Sequence, residues 1–156
     1  MYVEGFRIAS LDQLEQIKAG CQSTIENYAL ASGATSAIPN TGAGTLADIA
    51  VVYNMFSALR SRYSLDTVNA ADIKVYGTQV EVVNILVQKV FECATTAGIK
   101  KFLTRFATKT LGKSIASWIP VVGTTIAGYT GYQIMKIAGE TYSDDCYKLC
   151  REILNA

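Results

Sequence analysis

Histidine is absent from the 156 residues, and this removes a large block of chemistry. There is no Ser-His or Cys-His nucleophile pair, no imidazole metal ligand, and no imidazole pH switch. Proline occurs only twice, at Pro39 and Pro120, so little interrupts helix elsewhere. Charge is scarce as well. Lys and Arg number 14 against 13 Asp and Glu, and together they make up 17% of the chain. A net charge of +1 is too small to drive bulk binding to a polyanion, so nucleic acid is not an expected partner. Apolar residues reach 50%, and mean hydropathy is +0.22. Long disorder is excluded, because there is ample surface to bury. The length suits one domain over residues 1–156.

The first ten residues carry Glu4 and Arg7 and no apolar run, which does not fit a secretory signal. The four cysteines, Cys21, Cys93, Cys146 and Cys150, are scattered, unlike a disulfide framework in a small secreted domain. They are expected to be reduced, packed thiols in a cytoplasm-like compartment. Cys146 and Cys150 stand four apart, on one helical face, but two thiols are half of a zinc site. Two long stretches, 27–47 and 114–135, contain no charge. Pro, Gly, Ser and Thr interrupt both. The first is too polar for a membrane span; the second reads as buried helix ends, with an inserted hairpin as the alternative.

Periodicity points to helices throughout. Ser10 and Gln13 have capping-box spacing, and Leu11, Leu14, Ile17, Cys21, Ile25 and Tyr28 recur at three and four, to an end near Gly33. Leu46, Ile49, Tyr53, Phe56 and Leu59 form a second stripe, closed by Arg60 and Arg62 at the negative end of the helix dipole. Asn69 is placed to cap a third helix through Ile73, Tyr76, Val80, Val83, Val87 and Val90. The β-branched run Val80, Val82, Val83, Ile85 and Val87 raises a strand alternative, which the length and the charges Glu81, Lys89 and Glu92 disfavour. Gly98 reads as a break before a short helix with Phe102, Leu103 and Phe106 on one side. A last helix, or pair, runs over 124–154. In it Gly128, Gly131 and Gly139 permit a bend or a close crossing, and Tyr142, Cys146, Leu149, Cys150 and Ile153 share a face.

An internal echo links two loops. Ser36-Ala37-Ile38-Pro39-Asn40-Thr41-Gly42 and Ser117-Trp118-Ile119-Pro120-Val121-Val122-Gly123 both read S-x-I-P-x-x-G. The residue before Pro is held extended and stops the incoming helix, and Gly lets the chain turn before the outgoing one. The expected fold is all-α: a compact bundle of five or six helices, built as two helical hairpins with elbows at 36–42 and 117–123.

The first elbow, followed by Leu46-Ala47-Asp48-Ile49 and then Leu59-Arg60-Ser61-Arg62-Tyr63-Ser64-Leu65-Asp66, resembles the helical domain of immunity-related GTPases. The second elbow, with Gly128, Tyr132 and Asp144-Asp145-Cys146, is similar to their C-terminal segment, and a bacterial family that accompanies Era-like GTPase domains has related elbows. The resemblance spans roughly 35–66 and 114–153. It implies a helical module that packs on other copies, on membranes or on a separate GTPase. It does not bring nucleotide hydrolysis. Gly112-Lys113-Ser114 has the ending of a phosphate-binding loop, but Ala107 stands where its first Gly belongs, and a basic segment precedes it.

The candidate surfaces are few. Lys101, Arg105, Lys109 and Lys113 are spaced by four, and with Lys100 they form the strongest charge cluster. Such a face suits anionic lipid or an acidic patch on another subunit, and is otherwise a solvated helix face. Glu140, Asp144 and Asp145 make a small acidic counterpart, for pairing between copies or within one. Nine Tyr is a surplus that fits interfaces as well as cores. Asp48 and Asp66 are the acids nearest the first elbow, with no second group converging on either. No catalytic residue, metal or cofactor is expected. The sequence reads as a non-enzymatic module that self-associates into an oligomer or filament, alone or on a membrane surface from the cytoplasm. An adaptor for a GTPase and a membrane-inserting effector are the alternatives.

Overall fold

The computed structural model describes residues 2–36, 43–74, 79–106 and 124–156. They form α1 (Leu11–Ser36), α2 (Ala43–Arg62), α3 (Val80–Glu92), α4 (Thr96–Phe106) and α5 (Thr124–Asn155), with a short 3-10 turn at Ala70–Asp72. No strand occurs among the described residues, so the fold is an all-α bundle. The long helices α1 and α5 make the most extensive contact, and α2 and α3 also pack on α5.

The start of α1 follows the expected chemistry. The Ser10 hydroxyl accepts from the Gln13 amide at 3.2 Å, and the Gln13 side chain accepts from the Ala9 amide at 2.9 Å. Two otherwise orphaned amides are thereby satisfied. Leu14, Cys21, Ile25 and Ala29 are buried, with Ile17 and Tyr28 half-buried beside them. Leu11, read as the first member of this stripe, is instead exposed.

α2 ends in a Schellman turn. The Leu65 amide donates to the Arg60 carbonyl at 2.8 Å, and the Ser64 amide to the Ser61 carbonyl at 3.1 Å. Ser64 takes the left-handed conformation, φ 58°, that glycine usually supplies there. The N-terminal segment stabilises it. Ser64 Oγ accepts from the Arg7 amide at 2.9 Å and donates to the Gly5 carbonyl at 3.2 Å, and Thr67 Oγ1 donates to the same carbonyl at 2.9 Å. Gly5 lies at φ +84°, where a side chain would be strained in any case. Val3 and Ile8, on either side, are buried in the core. The first ten residues therefore strap the turn that follows α2.

Two sequence expectations need correction here. Asn69 does act as a cap, accepting from the Ala71 amide at 3.0 Å, but it caps the 3-10 turn and not α3. That turn closes on itself through Ile73, whose amide donates to the Ala70 carbonyl at 3.3 Å, and α3 starts only at Val80. Gly98 does not break the chain. It lies inside α4, and the break is the three-residue link Cys93, Ala94 and Thr95.

The α3–α4 corner turns through 114°. A Cβ on Gly98 would lie 1.7 Å from the Glu92 carbonyl oxygen, so no larger residue fits without opening that corner. The Thr95 hydroxyl accepts from the Gly98 amide at 3.1 Å and caps α4. Gly98→Ala is therefore expected to destabilise the fold by about 3 kcal/mol, the range of a forced overpacking. Urea unfolding monitored by circular dichroism checks this, and an unshifted midpoint would show that the corner relaxes freely. Gly139 serves the expected close crossing. An added Cβ would lie 2.8 Å from Ile25 Cγ2 and 3.0 Å from Met55 Sδ, where α1 and α2 meet α5.

Candidate interaction surfaces

The polar groups inside the bundle hold its elements together. Arg60, 7% exposed, extends from the last turn of α2 towards the C-terminus of α3. One guanidinium nitrogen, Nη1, donates to the Cys93 carbonyl at 3.0 Å and to the Tyr142 hydroxyl at 3.1 Å. Tyr142 in turn donates to the Val90 carbonyl at 2.7 Å. Both carbonyls belong to the end of α3, where helix geometry leaves acceptors unpaired and partial negative charge collects. A buried cation thus faces a helix terminus in place of a carboxylate. Phe56 stacks on the Tyr142 ring at 4.0 Å, and Phe102 meets Phe56 edge-on at 5.1 Å. Arg60 was read from sequence as a dipole-facing residue of α2; its principal electrostatic partner is the end of α3.

A second buried group lies between α1, α2 and α5. The Tyr63 and Ser143 hydroxyls share a hydrogen bond of 2.8 Å, and the Cys150 thiol donates to the Tyr63 carbonyl at 3.4 Å. All four thiols are free and buried. Burial raises the pKa of each. Cys93 is pushed up to about 12, by loss of solvent first and by the Glu92 charge next, against the opposing pull of Arg60 and Arg105. The same desolvation raises Cys146 and Cys150, and it raises Cys21 against the opposing hydrogen bond to Tyr63 and the charge of Arg62. These are protonated, unreactive sulfurs. No group of three potential metal ligands gathers among the described residues.

On the surface, Lys100, Lys101 and Arg105 are all exposed on α4. Arg105 is matched within the chain by Glu92, at 2.8 Å across the α3–α4 corner. Lys109 and Lys113 lie outside the described residues. In the acidic counterpart, Asp144 pairs with Lys148 one turn along α5, at 2.6 Å. Asp145 is half-buried, and desolvation raises its pKa against the opposing charge of Lys89. Glu140 is half-buried beside them. The two patches are thus each partly neutralised within one molecule.

The tyrosines also have internal work. Tyr63 and Tyr142 are wholly buried. Tyr132 donates to Glu26 and Tyr147 to Glu15, both across the α1–α5 seam. Lys136 and Lys18 lie over the respective rings, at 5.9 and 4.2 Å from their centres. Tyr53, expected on the core stripe of α2, is 39% exposed; Phe56 and Leu59 of that stripe are buried, and Val52 and Met55 join them.

The surface that sequence reading missed is on α3. Val83, Leu86 and Val90 face the core, while Val82 and Ile85, on another arc of the helix, are 47% and 52% exposed. The β-branched run had carried the signal, because it supplies more apolar positions than one helix face can bury. Among the described residues no single helix is long and apolar enough to cross a membrane; α3 and α4 reach that composition only together, across their bend.

The fold and its surfaces therefore define an all-α bundle with an apolar strip outside its core. No family model matches the chain, and no curated protein or solved structure is significantly similar to it. The elbow residues Pro39, Gly42, Pro120 and Gly123, on which the GTPase-domain resemblance chiefly rests, lie outside the described residues.

Proposed function

We infer that this chain is a non-enzymatic helical interaction module that associates with further copies of itself. The observation that carries this reading is the apolar outer arc of α3. A helix that has already buried one apolar face has no structural need for Val82 and Ile85, each near half exposed. Exposed apolar surface beside polar residues is characteristic of contact sites. The low net charge of +1 offers little repulsion between copies.

The test is the light-scattering mass of the purified chain over a range of concentration and salt. A mass that rises above 16.8 kDa with concentration is expected, with salt lowering it only in part where exposed charges flank an apolar contact. A constant mass near 16.8 kDa at all concentrations would overturn the reading. Retention on a separate GTPase by such a monomer would then favour the adaptor reading.

A further inference from the structure

Resting on that self-association, we propose that two copies meet through the outer face of α3, antiparallel and about a two-fold axis at Ile85. The argument is the order of residues on this face. Ile85 is at its centre, with Glu81 four residues before and Lys89 four residues after. Val82 and Gln88 flank it at three residues on either side. All five are exposed. Glu81 and Lys89 are about 12 Å apart along the helix axis, from the rise per residue.

This pattern is self-complementary in one orientation. An antiparallel copy sets Ile85 against the partner's Ile85 and Glu81 against the partner's Lys89, twice by symmetry. Val82 then lies against the aliphatic stem of the partner's Lys89, on the same edge of the face. A parallel copy would place acid on acid and base on base. An isologous contact of this kind closes after two subunits and leaves no open surface for a filament. The face also fits a second copy better than an anionic membrane, because Glu81 and Glu92 stand on it beside Lys89. Two other charges bear on the pairing. Asp145 of α5 already feels Lys89, and Glu92 is held by Arg105. Neither neighbour touches Glu81 through a salt bridge among those the structure shows. One helix face per subunit is small for an interface, so a weak, concentration-dependent dimer is expected.

The decisive experiment uses charge reversal on the full chain. Glu81→Lys carries two positive ends on this face, and Lys89→Glu carries two negative ends. Each alone is expected to raise the dimer dissociation constant at least tenfold by light scattering or sedimentation. Mixed in equal amounts, they are expected to form a heterodimer near wild-type strength. Circular dichroism confirms that each variant is folded, which matters for Lys89→Glu because of Asp145. Ile85→Cys gives an independent reading. The four native thiols are buried, so oxidation should cross-link two copies through the new residue alone. Cross-linking at Ile85→Cys and partner rescue in the mixture support the proposal. Wild-type association that neither charge variant weakens, with no cross-link, would overturn this interface while leaving self-association standing. A monomeric wild type would overturn both.

Discussion

Arg60→Met is expected to lower the unfolding free energy by about 2–4 kcal/mol, the cost of losing two hydrogen bonds from a charged group and leaving a buried carbonyl short of a donor. The side chain donates to two acceptors that no water reaches easily, the Cys93 carbonyl at 3.0 Å and the Tyr142 hydroxyl at 3.1 Å. Each hydrogen bond to a charged group contributes about 1.5–3 kcal/mol. Removing the guanidinium also removes its own desolvation penalty, which works in the opposite direction. The loss should still win, because the Cys93 carbonyl stays in a buried place after its Arg60 donor is gone. Arg60→Lys tests geometry against charge. A lysine keeps the cation but has a shorter reach and no planar fork, so an intermediate loss of about 1–2 kcal/mol is expected. Tyr142→Phe leaves the Val90 carbonyl without its 2.7 Å donor while preserving the ring stack on Phe56. The double variant should lose less than the sum of the two single ones, because both remove one shared bond. Urea denaturation of the wild type and the four variants measures all of this. A strictly additive cycle would show that Arg60 and Tyr142 do not act through each other.

This network also marks where sequence reading stops. The all-α class was legible, because α1 and α5 carry apolar residues at three and four over many turns, and their buried faces emerged much as the spacing implied. The position of Arg60 was half legible. It stands four residues after Phe56 and three before Tyr63, on the buried arc of α2, but its acceptors are 33 and 82 residues away along the chain. Nothing local names them. Asn69 misled for a different reason. A cap residue signals the start of a turn and says nothing about how far the turn continues, and Ile73 keeps helical spacing with Val80 and Val83 although the chain leaves helix between them. Gly98 is the same ambiguity in reverse. A glycine marks either a break or a place where backbone comes too close for a Cβ, and only the Glu92 carbonyl decides between them. Of the basic cluster, Lys100, Lys101 and Arg105 are exposed on α4, and the pairing of Arg105 with Glu92 depends on the 114° corner, which periodicity does not contain.

Alkaline instability is the second large expected effect. Four thiols and two tyrosines are folded into places that favour their neutral forms, with burial as the leading cause in each case. The sign follows from proton counting. Below the ordinary thiol value of 9.0 both folded and unfolded chains hold these protons, so the thiols add no pH dependence. Above it the unfolded chain releases them while the folded chain keeps them, and stability must fall as pH rises. Each thiol that ionises only on unfolding contributes a slope of about 1.4 kcal/mol per pH unit. The three with the largest shifts, Cys93, Cys146 and Cys150, together give about 4 kcal/mol per unit, a large part of the stability of an ordinary domain. Tyr63 and Tyr142 add to the slope above their ordinary 10.0. The chain is therefore expected to keep a constant urea midpoint from pH 7 to about 8.5 and to unfold cooperatively within the next two units. Cys146→Ala provides the control. It costs some stability at neutral pH through the lost packing, but it should remove one thiol's share of the alkaline slope. A midpoint that stays flat to pH 10.5, or a slope unchanged in Cys146→Ala, would mean that the thiols are reached by water in the folded chain. Reaction of the native protein with a thiol reagent on the time scale of mixing would show the same thing directly, since only thiolates in contact with solvent react.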